Sequence, residues 1–125
     1  MSKVIDLDGL KCVVYIDYDI PFDFKEERAS VYETIINNLV VDLDERKTGY
    51  KICPDYTTLS TITIFKAAKI SNNEWRKHVL ESIENLIKVR VEDEEFEGAL
   101  KEYTLDYTVE FSFVESYSIY YWNYR

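Results

Sequence analysis

A chain of 125 residues, 46% apolar and 31% charged, with three Gly and two Pro, has the size of one ordinary domain and lies far from the compositions that stay disordered. Its net charge of −9 is unevenly spread: residues 1–91 hold 15 acids and 13 bases, a balance of −2, whereas residues 92–125 hold nine acids against Lys101 and Arg125, a balance of −7. Such a field repels DNA and RNA and favours a basic protein partner, and neither a membrane-length apolar run nor a signal-peptide layout is present, so a cytosolic protein with no direct nucleic-acid or membrane contact is expected.

The stretch VIDLDGLKCVVYIDYDI predicts a hairpin turning at Asp8-Gly9, a dipeptide that tolerates positive φ. In its second strand Cys12, Val14, Ile16, Tyr18 and Ile20 share the face expected to meet the core, and Val13, Tyr15, Asp17 and Asp19 share the other. Pro21 ends that strand. Asp23 and Glu26 have capping-box spacing, after which Phe24, Val31, Tyr32, Ile35, Ile36, Leu39, Val40 and Leu43 recur near the helical period. They predict a helix to about Arg46, closed by Gly49 in left-handed geometry.

Residues 50–68 are rich in Thr, Ile and Tyr and broken at Pro54-Asp55, which predicts a short strand, a turn and a longer strand. Ser71 and Glu74 form a second capping box before Trp75, Val79, Leu80, Ile83, Leu86 and Ile87 on one helical stripe. That helix is expected to end between Lys88 and Val91, or to run through the acidic stretch toward Gly98. From Leu100 the period becomes two, placing Tyr103, Leu105, Tyr107, Val109, Phe111 and Phe113 on one face of a long half-buried strand. Glu115 to Tyr117 then read as a turn, and Ser118 to Tyr124 as a last strand with aromatic residues on both faces. The order ββα-ββα-ββ implies the α+β class, an antiparallel sheet of about five or six strands with two amphipathic helices on one face, in a single domain over residues 1–125.

Little in the chain points to catalysis. His78 has no Ser, Cys or second ligand beside it, and Gly-rich phosphate loops, H-E-x-x-H and G-x-S-x-G do not occur, so no catalytic residue, metal or cofactor is expected. The pairs Asp6/Asp8, Asp17/Asp19 and Asp42/Asp44 have the i,i+2 spacing that sets two carboxylates on one strand face, as a divalent ion or a carboxylate hydrolase requires. A solvated strand face is the plainer reading, and DLDG lacks the ligand register of a calcium loop; a hydrolase using Asp17 and Asp19 stands third among the functional readings. Cys12 and Cys53 belong to no paired motif and are expected to be buried free thiols, with their pairing left open.

Two features remain: the acidic run Glu92, Asp93, Glu94, Glu95 and Glu97, and the ring-rich end Tyr117, Tyr120, Tyr121, Trp122 and Tyr124. Together they form the expected partner-binding surface, with carboxylates that steer and pair with Lys or Arg and rings that bury area and stack on guanidinium groups. Acids at the end of a helix would also oppose its macrodipole, a conflict that a cationic partner relieves. The expected function is a non-catalytic binding module of inhibitor or immunity type, or a phage-type nucleic-acid mimic, that engages a basic, nucleic-acid-binding or nuclease-like protein. The alternative is self-association, with the aromatic strands burying against a second copy as a homodimer.

Overall fold

Leu10, Cys12, Val14 and Ile16 alternate with Lys11, Val13, Tyr15 and Asp17, and this period of two makes β1 (Leu10–Asp17) the strand around which the fold is assembled. The computed structural model describes residues 9–21, 23–92 and 98–113. Within them follow α1 (Lys25–Glu45), β2 (Tyr50–Pro54), β3 (Thr61–Lys66), α2 (Asn72–Glu84), β4 (Lys88–Glu92), β5 (Leu100–Thr104) and β6 (Asp106–Phe113). The class is α+β as expected. The described strands divide into an antiparallel sheet in the order β2-β3-β1-β6 and a separate antiparallel pair, β4-β5.

Register aligns the apolar positions into rows: Cys12 stands opposite Ile64 and Phe111, and Val14 opposite Ile62 and Val109. Each helix has one apolar stripe to bury, so both pack on this face. Val31, Tyr32, Ile35, Ile36, Leu39 and Leu43 of α1 and Trp75, Val79 and Ile83 of α2 join the same buried cluster. The Trp75 ring meets Phe111 edge-on at 6.2 Å, and its indole N–H donates to the Gly49 carbonyl at 3.0 Å, so its one polar atom is satisfied. Asp42 of α1 accepts hydrogen bonds from the Ser82 hydroxyl of α2 and from Arg46 Nε (2.8 Å), and Arg46 reaches on to Glu81 (2.6 Å), joining the two helices. On the opposite sheet face Tyr15, Asp17, Asp106, Thr108 and Glu110 are exposed, with the Tyr15 hydroxyl donating to Glu110 at 3.2 Å.

Several local expectations change. Both edges of β1 are taken, by β3 and β6, and the first strand of the hairpin predicted through Asp8-Gly9 lies outside the described residues. Gly9 does have the expected positive φ, 82°, and the residues before it lie outside those described. At α1 the first helical bond runs from the Arg28 N–H to the Phe24 carbonyl at 3.0 Å, which makes Phe24 the N-cap, with no side chain capping it. Asp23 falls one residue too early for the predicted capping box, and Phe24 leaves the core stripe, 51% exposed. The left-handed residue after α1 is Lys47 (φ 55°) rather than Gly49. Gly49 is required for space instead: a Cβ there would lie 2.6 Å from the Ala67 carbonyl oxygen.

Ser71 caps α2 as expected, accepting from the Glu74 N–H at 3.1 Å. The helix ends at Glu84, however, and Lys88-Val-Arg-Val-Glu alternates as β4, so Glu92 sits on a strand and the expected conflict with a helix dipole does not arise there. The long strand predicted from Leu100 is broken at Leu105, whose side chain is buried and whose N–H donates to the Ile87 carbonyl at 2.7 Å. Here the chain passes from one sheet to the other without disturbing its inside-outside alternation, which is why period alone missed the break. Cys12 is a buried free thiol as expected, whereas Cys53 is only half-buried. The predicted turn at Glu115 to Tyr117 and the strand Ser118 to Tyr124 lie outside the described residues.

Candidate functional site: an acid-rimmed aromatic cleft

The β1–α1 connection, the first turn of α1 and the β4–β5 pair enclose a cleft. The Phe24 N–H donates to the Pro21 carbonyl at 3.0 Å, a tight turn that leads into the helix with the Phe24 ring outside the core. The opposite wall comes from β5. Lys101 and Tyr103 stand across from Val91 and Val89 of β4, and their two-residue spacing puts both on the side of the pair that packs against α1. Two adjoining lobes of about 730 and 360 Å³ share Phe24, Glu27, Lys101 and Tyr103 as walls.

Five acidic residues, Asp19, Asp23, Glu26, Glu27 and Glu92, border the lobes against Lys25 and Lys101, while the carboxylate of Glu102, the next residue on β5, is held by Arg90 Nε at 3.1 Å. Glu26 and Glu27 sit in the first turn of α1, where negative charge suits the helix dipole, so the fold holds them there without local conflict. At the centre, Glu27 Oε1 accepts from Lys101 Nζ at 2.9 Å and also from the Tyr103 hydroxyl. Lys101 Nζ lies 5.2 Å from the centre of the Tyr103 ring as well. The Lys101 contact, followed by the Tyr103 hydrogen bond, holds the Glu27 carboxyl below the usual carboxylate range. Glu27 in turn raises Lys101 to about 12. Burial, and then the hydrogen bond to Glu27, push the Tyr103 phenol above its ordinary value.

The cleft therefore presents negative potential beside two ring surfaces. Among the described residues no group of three His, Cys, Asp or Glu side chains is arranged to hold a metal ion. His78 is half-buried on α2 and borders neither lobe. Of the acid pairs, Asp42 is engaged with Ser82 and Arg46, and Asp44 accepts from the Tyr50 hydroxyl at 2.8 Å. Asp17 and Asp19 are both exposed, and only Asp19 borders the cleft.

Of the expected partner-binding residues, Glu92 is exposed at the end of β4 and borders the larger lobe. Asp93, Glu94, Glu95, Glu97, Tyr117, Tyr120, Tyr121, Trp122 and Tyr124 lie outside the described residues. Sequence reasoning missed Glu27, Lys101 and Tyr103 as a unit and assigned Phe24 to the core. One signal was visible: Lys101 and Arg125 are the only bases in the acidic last quarter of the chain. No helix among the described residues is long and apolar enough to cross a membrane. Comparison with protein-family models, curated proteins and solved structures yields no match to this chain.

Proposed function

We propose that this protein is a small acidic, non-catalytic binding module of inhibitor or immunity type, engaging a basic protein of the nucleic-acid-binding or nuclease-like kind. The observation that carries the reading is the cleft, where five acidic residues and two lysines border the Phe24 and Tyr103 rings. Carboxylates so placed steer a cationic partner and pair with it, while the rings supply contact area and a stacking surface for guanidinium groups. Glu92, the first residue of the acidic run, adds its charge at the rim of the larger lobe; the ring-rich segment from Tyr117 to Tyr124 has the residue types that dominate binding hot spots. A carboxylate surface of this sign also competes with phosphates for a basic groove, which is how such a module would block a nucleic-acid-binding protein.

Binding of a labelled basic peptide, followed by fluorescence anisotropy at low and high salt, tests the proposal. Salt-sensitive binding is expected, and replacing Glu26 and Glu92 with Gln should slow association and flatten the salt dependence. Replacing Tyr121 or Trp122 with Ala should weaken binding at unchanged thermal stability. Tighter binding of duplex DNA than of the basic peptide, or binding indifferent to salt, would overturn it.

A further inference from the structure

We infer that Lys101 is an internal placeholder for an arginine of the partner, occupying Glu27 in the free protein and giving it up when the partner's guanidinium enters the cleft. This rests on the cleft being the docking surface for a basic protein. The side chain of Lys101 comes from β5 and remains 53% exposed, yet its ammonium sits on the one carboxylate that both lobes share. Lys101 and Tyr103 both donate to Oε1 of Glu27, and among the described residues Oε2 accepts no hydrogen bond. The free protein thus answers Glu27 with a single point charge on a flexible stem.

A guanidinium fits better than an ammonium. Its planar fork engages both oxygens of one carboxylate, it is more weakly hydrated, and its flat faces stack on rings. Phe24 offers such a face, half exposed at the wall of both lobes, and Tyr103 already holds a cation beside its ring in the form of Lys101. A lysine from the partner would only exchange one ammonium for another. An arginine adds the second hydrogen bond and the stack, so the exchange runs toward the partner. Lys101 then swings into water, which its exposure permits.

Charge and contact are separable here, because Lys25 borders the larger lobe too but makes no ion pair with Glu27 among the described residues. Lys101→Met and Lys25→Met remove the same charge, and only the first frees Glu27. With a fluorescein-labelled oligoarginine peptide as probe, Lys101→Met is expected to tighten binding by about tenfold, the order of one charge-assisted contact. Lys25→Met should give only a few-fold gain from the general field, and an oligolysine peptide should show a smaller gain than oligoarginine with Lys101→Met. Adding Glu27→Gln to Lys101→Met should cancel the gain, and thermal unfolding of each variant confirms that the fold is retained. Equal gains from Lys101→Met and Lys25→Met, with oligoarginine bound to the unsubstituted protein, would overturn the placeholder and leave the docking surface standing. Failure of oligoarginine to bind any variant at low salt would overturn both.

Discussion

Asp17 and Asp106 stand directly opposite each other across the β1–β6 ladder, both exposed on the sheet face away from the helices. Like charges in that position repel, whereas opposite charges attract. Replacing Asp106 with Asn is therefore expected to raise stability by about 0.5 kcal/mol, and replacing it with Lys by up to about 1 kcal/mol. Urea unfolding at low and high salt is the check: the gain should shrink as salt screens the pair, and no gain at low salt would show that the two carboxylates do not feel each other.

Asp42 makes stability depend on acid. The Ser82 hydroxyl, and after it Arg46, hold its carboxyl below the ordinary range. Because the folded pKa lies under the unfolded one, the contribution is fully present above the unfolded value of about 3.9 and is lost as pH falls through the lower folded value. Asp42→Asn should cost about 1 kcal/mol near neutrality, a figure kept low by partial solvent screening, and progressively less in acid. Chemical denaturation across that range should give converging curves, and parallel curves would assign the loss to packing instead.

Gly49 is constrained by its neighbours, with 2.6 Å between a virtual Cβ and both the Ala67 carbonyl oxygen and the Ala68 Cβ. Its own carbonyl also receives the Trp75 indole N–H. Gly49→Ala is expected to push the start of β2 away from Ala67 and Ala68 and cost about 2 kcal/mol, a typical penalty for overpacking. A thermal midpoint equal to that of the unsubstituted protein would show that the strand ends yield freely.

The two thiols should react differently. Burial pushes Cys12 up to about 12 and removes it from solvent, whereas Cys53 is half-buried. Native protein mixed with a thiol-reactive disulfide is expected to release one equivalent, assigned to Cys53 by Cys53→Ser, with the second appearing only in denaturant. Prompt release of both would mean that β1 opens readily.

The helices and the inward face of β1 were legible because each is a local pattern: Val31 to Leu43 repeat at the helical period, and Leu10 to Ile16 alternate. Neighbour relations were not. Nothing near β1 states that β6 lies beside it, since register is a matter of distant partners. Lys88 to Glu92 were obscured because Leu86 and Ile87 continue an apolar helical stripe past the end of α2 at Glu84. The cleft was hidden for the same reason as the ladder. Glu27 meets Lys101 and Tyr103 across separations of 74 and 76 residues, so each looked like an ordinary member of its own element.

The single residue between β5 and β6 has a last consequence. Leu105 is 1% exposed and its amide is tied to Ile87, so the β5 wall of the cleft is pinned to the rim of the large sheet. Swinging that wall outward would extract a leucine from the interior, about 2 kcal/mol before any other loss. The cleft is therefore a prefabricated notch rather than a flap. A molecule that docks there meets a shape already made, sacrifices little conformational freedom in its host, and stays for a time governed by the contacts it forms.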